Sequence, residues 1–248
     1  MSSYDVVVIG AGPAGEGAAM KLVKEGRRVA VVDQLGEVGG NCAHVGTIPS
    51  KALRQTVYNL MRFRRDPLLS RTAEIRSVPL SQVLARAQKV IELQVSTHHR
   101  FFERNDVDLY YGEARFEDDN TVSVLTSEGV SERIGFEHAV IATGSRPYQP
   151  KDIDFSHPRV FDSDKILQLD YPVHKLIIYG AGVIGCEYAS IFAALGCRVT
   201  QVDRNHRPLS FVDAELTDAL ITEAGLPGIL ICKRNRSHPS PNHHENPW

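Results

Sequence analysis

The chain lacks any hydrophobic run near the ~20 apolar residues that a membrane-spanning helix needs. Its first residues show no basic stretch and no cleavage-site pattern of a secretory leader. Charge of neither sign accumulates: 28 Lys and Arg stand against 30 Asp and Glu, a net −2. Nothing therefore favours electrostatic attraction to nucleic acid or to acidic membranes. Cysteine is scarce. Cys42, Cys186, Cys197 and Cys232 have the spacing of neither a disulfide framework nor a zinc site. The ten histidines show no metal-ligand pattern, so no metal is expected. His238, His243 and His244 fall in a polar tail. A cytoplasmic location is the expectation. The 248 residues, 42% hydrophobic and 23% charged, suffice for one large or two ordinary soluble domains.

Against these absences stands Tyr4-Asp5-Val6-Val7-Val8-Ile9, an apolar strand that runs into Gly10-Ala11-Gly12-Pro13-Ala14-Gly15. A helical pattern follows from Glu16 to Lys24, then a second apolar strand, Arg28 to Val32, that ends on Asp33. This is a βαβ unit with a G-x-G-x-x-G turn and a carboxylate about 20 residues further on, the dinucleotide fingerprint. Gly10 permits the tight turn, Gly12 lets a pyrophosphate approach the backbone, and Gly15 lets the helix pack close to the sheet. The helix N-terminus offers amide donors and a positive dipole end to phosphates. Asp33 is expected to accept from a ribose diol.

A glycine-rich stretch from Gln34 to Lys51 then turns helical over Ala52–Arg64, with Leu53, Val57, Leu60 and Met61 at helical spacing. Residues 65–79 read as a loop holding Pro67 and Pro79. A long amphipathic helix is expected from Leu80 to about Glu103, with Val83, Leu84, Ala87, Val90, Ile91 and Val95 on one face. From Val107 the period shifts towards two, and the turns Asp118-Asp119-Asn120 and Ser127-Glu128-Gly129 suggest a small antiparallel meander over about 107–135. Ala139-Val140-Ile141 reads as a separate strand ending on Ala142-Thr143-Gly144. Pro147, Pro150 and Pro158 suggest a domain boundary near 150.

The opening theme then recurs. Lys175–Tyr179 is a strand, Gly180-Ala181-Gly182-Val183-Ile184-Gly185 a second G-x-G-x-x-G, Glu187–Leu195 a helix, and Arg198–Val202 a strand ending on Asp203. Each landmark returns 170 positions later. A doubled βαβ fingerprint predicts two dinucleotide sites on an α/β fold of two Rossmann-like domains. Asp203 favours a free ribose 2′-OH, whereas Arg204 and Arg207 could meet a 2′-phosphate; the choice of nucleotide stays open between NAD and NADP.

With these motifs in view, the chain resembles the flavoprotein disulfide reductase family, also called the class-I pyridine nucleotide-disulfide oxidoreductases, over residues 4 to about 220. The resemblance implies an FAD-binding domain over 1–149 carrying the meander, then an NAD(P)-binding domain over 150–232. The block Gly39-Gly40-Asn41-Cys42…Pro49-Ser50-Lys51 is its most specific part. Family members carry a second cysteine five positions after the first, and here that position is Thr47. A dithiol relay needs two sulfurs in reach, so disulfide reduction by the usual route is disfavoured. The strings 46–54, 144–148 and 179–192 are similar to one branch, the soluble pyridine nucleotide transhydrogenases, which implies hydride transfer from NADPH to NAD⁺ through flavin in a ping-pong cycle.

By that resemblance Gly10, Gly12, Pro13, Ala14 and Gly15 would hold the FAD pyrophosphate and Asp33 its ribose. Gly39, Gly40, Asn41 and Cys42 would lie along the ribityl chain and flavin, with Thr143 and Gly144 at the same cofactor and Ala114 at its adenine. Lys51 would sit near flavin N5 and pair with Glu187. Gly180, Gly182, Val183, Ile184, Gly185, Asp203 and Arg204 would hold the nicotinamide dinucleotide. Lys51, Glu187 and Cys42 are the catalytic candidates, although surface Lys and first-turn Glu residues need no such role and Cys42 also reads as a small apolar residue.

Asp213–Ala224 reads as a helix and Gly228–Cys232 as a strand; residues 233–248 are polar and proline-studded and are expected to be disordered. Full-length family members continue, returning to the FAD domain and adding a dimerisation domain, so they are expected to be homo-oligomers. The chain is expected to be a truncated product lacking that domain. Two alternatives stay open: a dihydrolipoamide-dehydrogenase-like reductase, and a non-catalytic nucleotide-binding fragment.

Overall fold

In the computed structural model the first strand, β1 (Ser2–Ile9), lies at the centre of a six-stranded sheet. The structure describes residues 2–68, 78–205, 207–223 and 229–233. Of residues 233–248, expected to be disordered, Lys233 instead closes a strand (Ile229–Lys233), because it pairs with Asp203; 234–248, and 69–77 of the expected loop, lie outside the described residues. β1 pairs in parallel with β2 (Val29–Asp33) on one side and with β6 (Ser131–Ile141) on the other. All five residues of β2 are buried, as parallel strands covered on both faces require.

Between β1 and β2 runs α1 (Pro13–Lys24); the short α2 (Gly40–His44) and α3 (Thr47–Arg65) follow, and then α4 (Leu80–Glu103). One sheet face carries Val6, Val8, Val29 and Val31 under Ala19 and Met20 of α1 and Phe102 of α4. The opposite face, with Tyr4, Val7, Ala30 and Val32, is covered by Val122, Val124, Ile134 and Phe136 of the sheet's own antiparallel part. The amides of Asp5 and Val6 share the Arg28 carbonyl, and at this irregularity Tyr4 joins the face of Val7. The Tyr4 hydroxyl donates to Asp108 at 2.8 Å and lies 2.7 Å from the Tyr110 hydroxyl. Burial first, then these two bonds, push its pKa far above the ordinary phenol range.

The expected meander requires correction at both ends. β3 (Asp108–Tyr111) pairs in parallel with β2 as part of the main sheet, because α4 carries the chain back over the sheet before β3 begins. The antiparallel part consists of β4 (Glu113–Asp118), β5 (Thr121–Leu125) and β6. The separate strand expected at Ala139–Ile141 is the far end of β6, which pairs with β5 over Ser131–Gly135 and with β1 from Ile134 to Ile141. The strand order is β3-β2-β1-β6-β5-β4.

The chain divides into two compact units, residues 1–53 with 84–169 and residues 54–83 with 170–248. Residues 150–169, read from the sequence as the start of the second domain, group with the first unit, and 54–83 group with the second. In the second unit β7 (Lys175–Tyr179), β8 (Arg198–Asp203) and β9 (Ile229–Lys233) form a parallel sheet in that order. α5 (Val183–Ala194) joins β7 to β8, and α6 (Ala214–Glu223) lies between β8 and β9. Phe192, Ile191 and Val199 are almost wholly buried there.

Candidate functional site

The first glycine-rich turn leaves β1 at Gly10, whose φ of +109° is open to glycine alone. A Cβ there would stand 2.6 Å from the Ala142 carbonyl oxygen, so the end of β6 walls the turn on that side. The Gly10 amide donates to the Val32 carbonyl at 2.7 Å, tying the turn to the neighbouring strand. A Cβ on Gly15 would lie 1.8 Å from the Gly10 carbonyl oxygen, which is the close helix–strand approach the motif predicts. Gly12 is the N-cap of α1 in extended conformation; no side chain caps it, and Pro13 opens the helix. Among the described residues, a Cβ on Gly12 would meet only Gly40 Cα, at 3.8 Å. The backbone there can therefore be approached closely by a phosphate, and a helix N-terminus faces it.

Asp33 is buried, and it grips the turn from below. One carboxylate oxygen accepts from the Ala11 amide at 2.7 Å and the other from the Leu35 amide at 2.8 Å. A second glycine pair closes over this turn. The Gly39 amide donates to the Ala11 carbonyl at 2.9 Å. Gly40, at φ +55°, comes so near that a Cβ would stand 2.8 Å from Gly12 Cα. The Asn41 side chain donates to the Ser145 carbonyl at 2.8 Å, joining the start of α2 to the loop after β6, where Thr143 and Gly144 are exposed. These contacts bring Gly10, Gly12, Gly15, Asp33, Gly39, Gly40 and Asn41 together around one turn, and Pro13 and Ala14 open α1 beside it. Ala114 is half-buried on β4, opposite Val124.

Cys42 is half-buried on α2, and Cys42, Cys186 and Cys197 are free thiols. Thr47 is exposed at the start of α3, and Lys51 is exposed one turn further on. Around α2 the His44 Nε2–H donates to the Val38 carbonyl at 2.9 Å, and its Nδ1 lies 3.8 Å from a Glu37 carboxylate oxygen. His98 of α4 bonds Glu16 of α1 through Nδ1. The Tyr111 hydroxyl and His99 Nε2 stand 2.9 Å apart. Burial, and then the charges of Asp33, Glu37 and Glu103, raise the tyrosine's pKa above that of an ordinary phenol. No group of His, Cys, Asp and Glu among the described residues is arranged to hold a metal ion.

The second turn repeats the first, 170 positions on. Gly180 has φ +117°, and its amide donates to the Val202 carbonyl at 2.8 Å. Gly182 is the extended N-cap of α5, again with no side-chain cap. A Cβ on Gly185 would lie 2.1 Å from the Gly180 carbonyl oxygen. Asp203 accepts from the Ala181 amide at 2.6 Å and the Asn205 amide at 2.7 Å. The Leu209 amide donates to the Ala181 carbonyl at 2.8 Å, the place Gly39 holds in the first turn. Leu209 does so at φ +49°, a left-handed conformation uncommon for a side-chain-bearing residue.

Val183 and Ile184 are exposed beside this turn, and Glu187 is half-buried with its carbonyl accepting from the Ser190 hydroxyl at 2.7 Å. Arg204 is exposed. Arg207 is held by α6, 2.8 Å from an Asp218 carboxylate oxygen and 3.2 Å from the Ala214 carbonyl. Lys51 belongs to the first unit and Glu187 to the second. Sequence reasoning missed Gln201, Leu209, Ala142 and the Glu16–His98 pair. Setting the two repeats in register would have exposed the first two, as Gln201 falls on Val31 and Leu209 on Gly39.

The family model described as pyridine nucleotide-disulphide oxidoreductase matches residues 4–232. Soluble pyridine nucleotide transhydrogenases from Pseudomonas putida (strain W619) and Pseudomonas fluorescens (strain SBW25) are each 54% identical to the chain over 218 residues, covering 88% of it and 47% of themselves. The chain thus spans about half the length of the curated relatives it matches. Among solved structures, the Cu(II) complex of the HOCl-induced flavoprotein disulfide reductase RclA from Escherichia coli is similar, with a TM-score of 0.82 at 27% identity. That match covers 97% of this chain and 52% of RclA. Through its doubled turn and the strands that carry it, the chain belongs to the pyridine nucleotide-disulphide oxidoreductase family.

Proposed function

We propose that the chain is the dinucleotide-binding half of an FAD-dependent soluble NAD(P)⁺ transhydrogenase, moving hydride from NADPH to NAD⁺. The observation that carries this reading is the repeated, carboxylate-latched glycine turn, two cradles of one design in a chain whose curated relatives are named soluble pyridine nucleotide transhydrogenases. The first cradle fits FAD. Gly12 and the uncapped start of α1 would receive the pyrophosphate, and Gly39, Gly40, Asn41 and Cys42 would line the path towards the flavin. When bound, the flavin supplies a ring that accepts hydride and gives it back.

The residues of this chain bind and orient. Asp33 holds the first turn in its receptive shape and still presents oxygen lone pairs to a ribose edge. Lys51 would place a positive charge near the flavin, and Glu187 would sit at the nicotinamide side. The second cradle, with Asp203 beneath it and Arg204 exposed beside it, would take NADPH and NAD⁺ in turn. Arg207 is engaged by Asp218, which leaves Arg204 to meet a 2′-phosphate. Thr47 in place of a second thiol supports hydride exchange without a redox disulfide. The full-length protein is proposed to work in the cytoplasm as a homo-oligomer. No helix among the described residues is long and apolar enough to cross a membrane.

The test is a flavin absorbance spectrum of the purified chain, followed by hydride transfer from NADPH to an NAD⁺ analogue. A yellow protein and transfer in the longer form of the enzyme are expected. A colourless protein in both forms would overturn the flavin assignment. Transfer that disappears on thiol alkylation, together with disulfide reductase activity, would favour the lipoamide-dehydrogenase-like reading.

A further inference from the structure

Gln201 is a side-chain amide only 2% exposed, in the middle of a parallel sheet strand. Burying such a group is unfavourable unless its hydrogen bonds are made. Its Nε2–H donates to the Gly180 carbonyl at 2.9 Å and reaches the Cys186 sulfur at 3.7 Å. Two residues along the same face of β8, Asp203 accepts from the Ala181 amide at 2.6 Å. The Gly180 carbonyl and the Ala181 amide belong to one planar peptide unit and point in opposite directions. Gln201 and Asp203 therefore hold the two ends of a single peptide plane, at the first glycine of the turn.

The first cradle does not work this way. The residue matching Gln201 is Val31, which can hold nothing by hydrogen bonding. That turn is braced from outside instead, by the Ala142 carbonyl against Gly10 and by Gly40 against Gly12. At Gly180 and Gly182 none of the described residues stands within 4 Å of where a Cβ would be. Where the outer brace is missing, an inner one is present.

We propose that Gln201 is a positioning residue of the second cradle: by clamping the Gly180–Ala181 peptide together with Asp203, it presets the turn that receives the pyrophosphate of the nicotinamide dinucleotide. The proposal rests on the reading of that turn as a nucleotide site. A turn already in its receptive shape loses less freedom when the ligand arrives, so removal of the clamp weakens binding without touching the ligand.

The test compares the full chain with Gln201→Met, which keeps length but removes the donor, and Gln201→Val, which installs the residue of the first unit. Amide hydrogen exchange is read over peptides 180–186, 188–195 and 10–16, and NADH binding is read by fluorescence titration. Loss of one net hydrogen bond predicts about fivefold faster exchange over 180–186 and an about fivefold higher Kd for NADH. Exchange over 10–16 stays unchanged, and so does exchange over 188–195 of the same unit as Gln201, which shows that the variant unit is folded. Unchanged exchange and unchanged Kd in both variants would overturn the proposal. So would equal acceleration over 180–186 and 188–195, which would make Gln201 an ordinary core contact of its unit. Selective acceleration over 180–186 in a parent chain that binds no NADH would overturn the nucleotide reading of the turn and leave the clamp standing.

Discussion

The two glycine-rich turns share one frame and differ in what braces it. Gly10 and Gly180, Gly15 and Gly185, Asp33 and Asp203 hold matching places with matching hydrogen bonds. The first turn is enclosed by its surroundings, with β6 against Gly10 and the Gly39–Gly40 pair lying over Gly12. In the second turn no described residue comes within 4 Å of a Cβ built on Gly180 or Gly182; a polar side chain lies beneath, and a strained leucine stands where the first has a glycine. The comparison teaches that the short-range geometry is common to both turns, while the stiffness of each is supplied by different neighbours.

The sharpest way to break the shared frame is at the third glycine of each turn. Gly15→Ala would force a methyl to 1.8 Å from a backbone oxygen, and Gly185→Ala to 2.1 Å. Neither backbone can yield cheaply, and each substitution is expected to destabilise its unit by about 3 kcal/mol or more. Urea unfolding followed by circular dichroism checks this, and equal midpoints for parent and variants would remove the close-approach argument.

The carboxylate latches come next and should separate the two turns. Asp33→Asn leaves one backbone amide facing another donor in a buried place, an expected loss of about 2 kcal/mol. Asp203→Asn breaks the same pair of bonds at a half-exposed position, where water can substitute, and about 1 kcal/mol is expected. Reversal of that order in the urea midpoints would show that burial does not decide between them.

A smaller contrast lies in the residue that bonds to the second backbone position of each turn. Gly39 has φ +101°, and a Cβ would meet that of Ala43 at 2.6 Å, so Gly39→Ala is expected to cost about 1–2 kcal/mol. Leu209→Gly relieves a left-handed leucine but gives the unfolded chain more freedom, and these offset to within about 0.5 kcal/mol. A large change in the melting temperature of Leu209→Gly would mean that its side chain does more than occupy the turn.

The smallest effect is chemical. Burial raises the Cys186 thiol above its ordinary value of 9.0, as it does that of Cys197. Less thiolate is then present near pH 8, so in the native chain both should react with iodoacetamide more slowly than after denaturation. The folded state also holds these protons to higher pH than the unfolded chain does. Their contribution to stability is therefore present below about pH 9 and falls as pH rises beyond it. Peptide mapping by mass spectrometry reads the first effect and urea midpoints between pH 8 and 10 the second.

Much of the site could be read from the amino-acid order because its signals are local. The G-x-G-x-x-G spacing, the apolar strand before it and the acid after it all fall within one βαβ unit, and the turn must follow from sterics at Gly10 and Gly15. The same holds for α4, whose apolar spacing marked its ends, and for Lys175–Tyr179. What the order of residues left undecided depends on partners distant in the chain. Whether β3 joined a meander or the main sheet turned on how α4 returns the chain beside β2. Whether residues 139–141 stood alone turned on pairing with β1. Asp33, expected from its position to face a ribose, meets the Leu35 amide locally, but it reaches the Ala11 amide only once β1 and β2 lie side by side. Gln201 looked like one polar residue in an apolar strand; only the folded turn above it supplied the carbonyl that accounts for its burial. Periodicity and steric limits act over a few residues and are written in the sequence, whereas a hydrogen bond across a strand pair exists only after tertiary packing has chosen the neighbours.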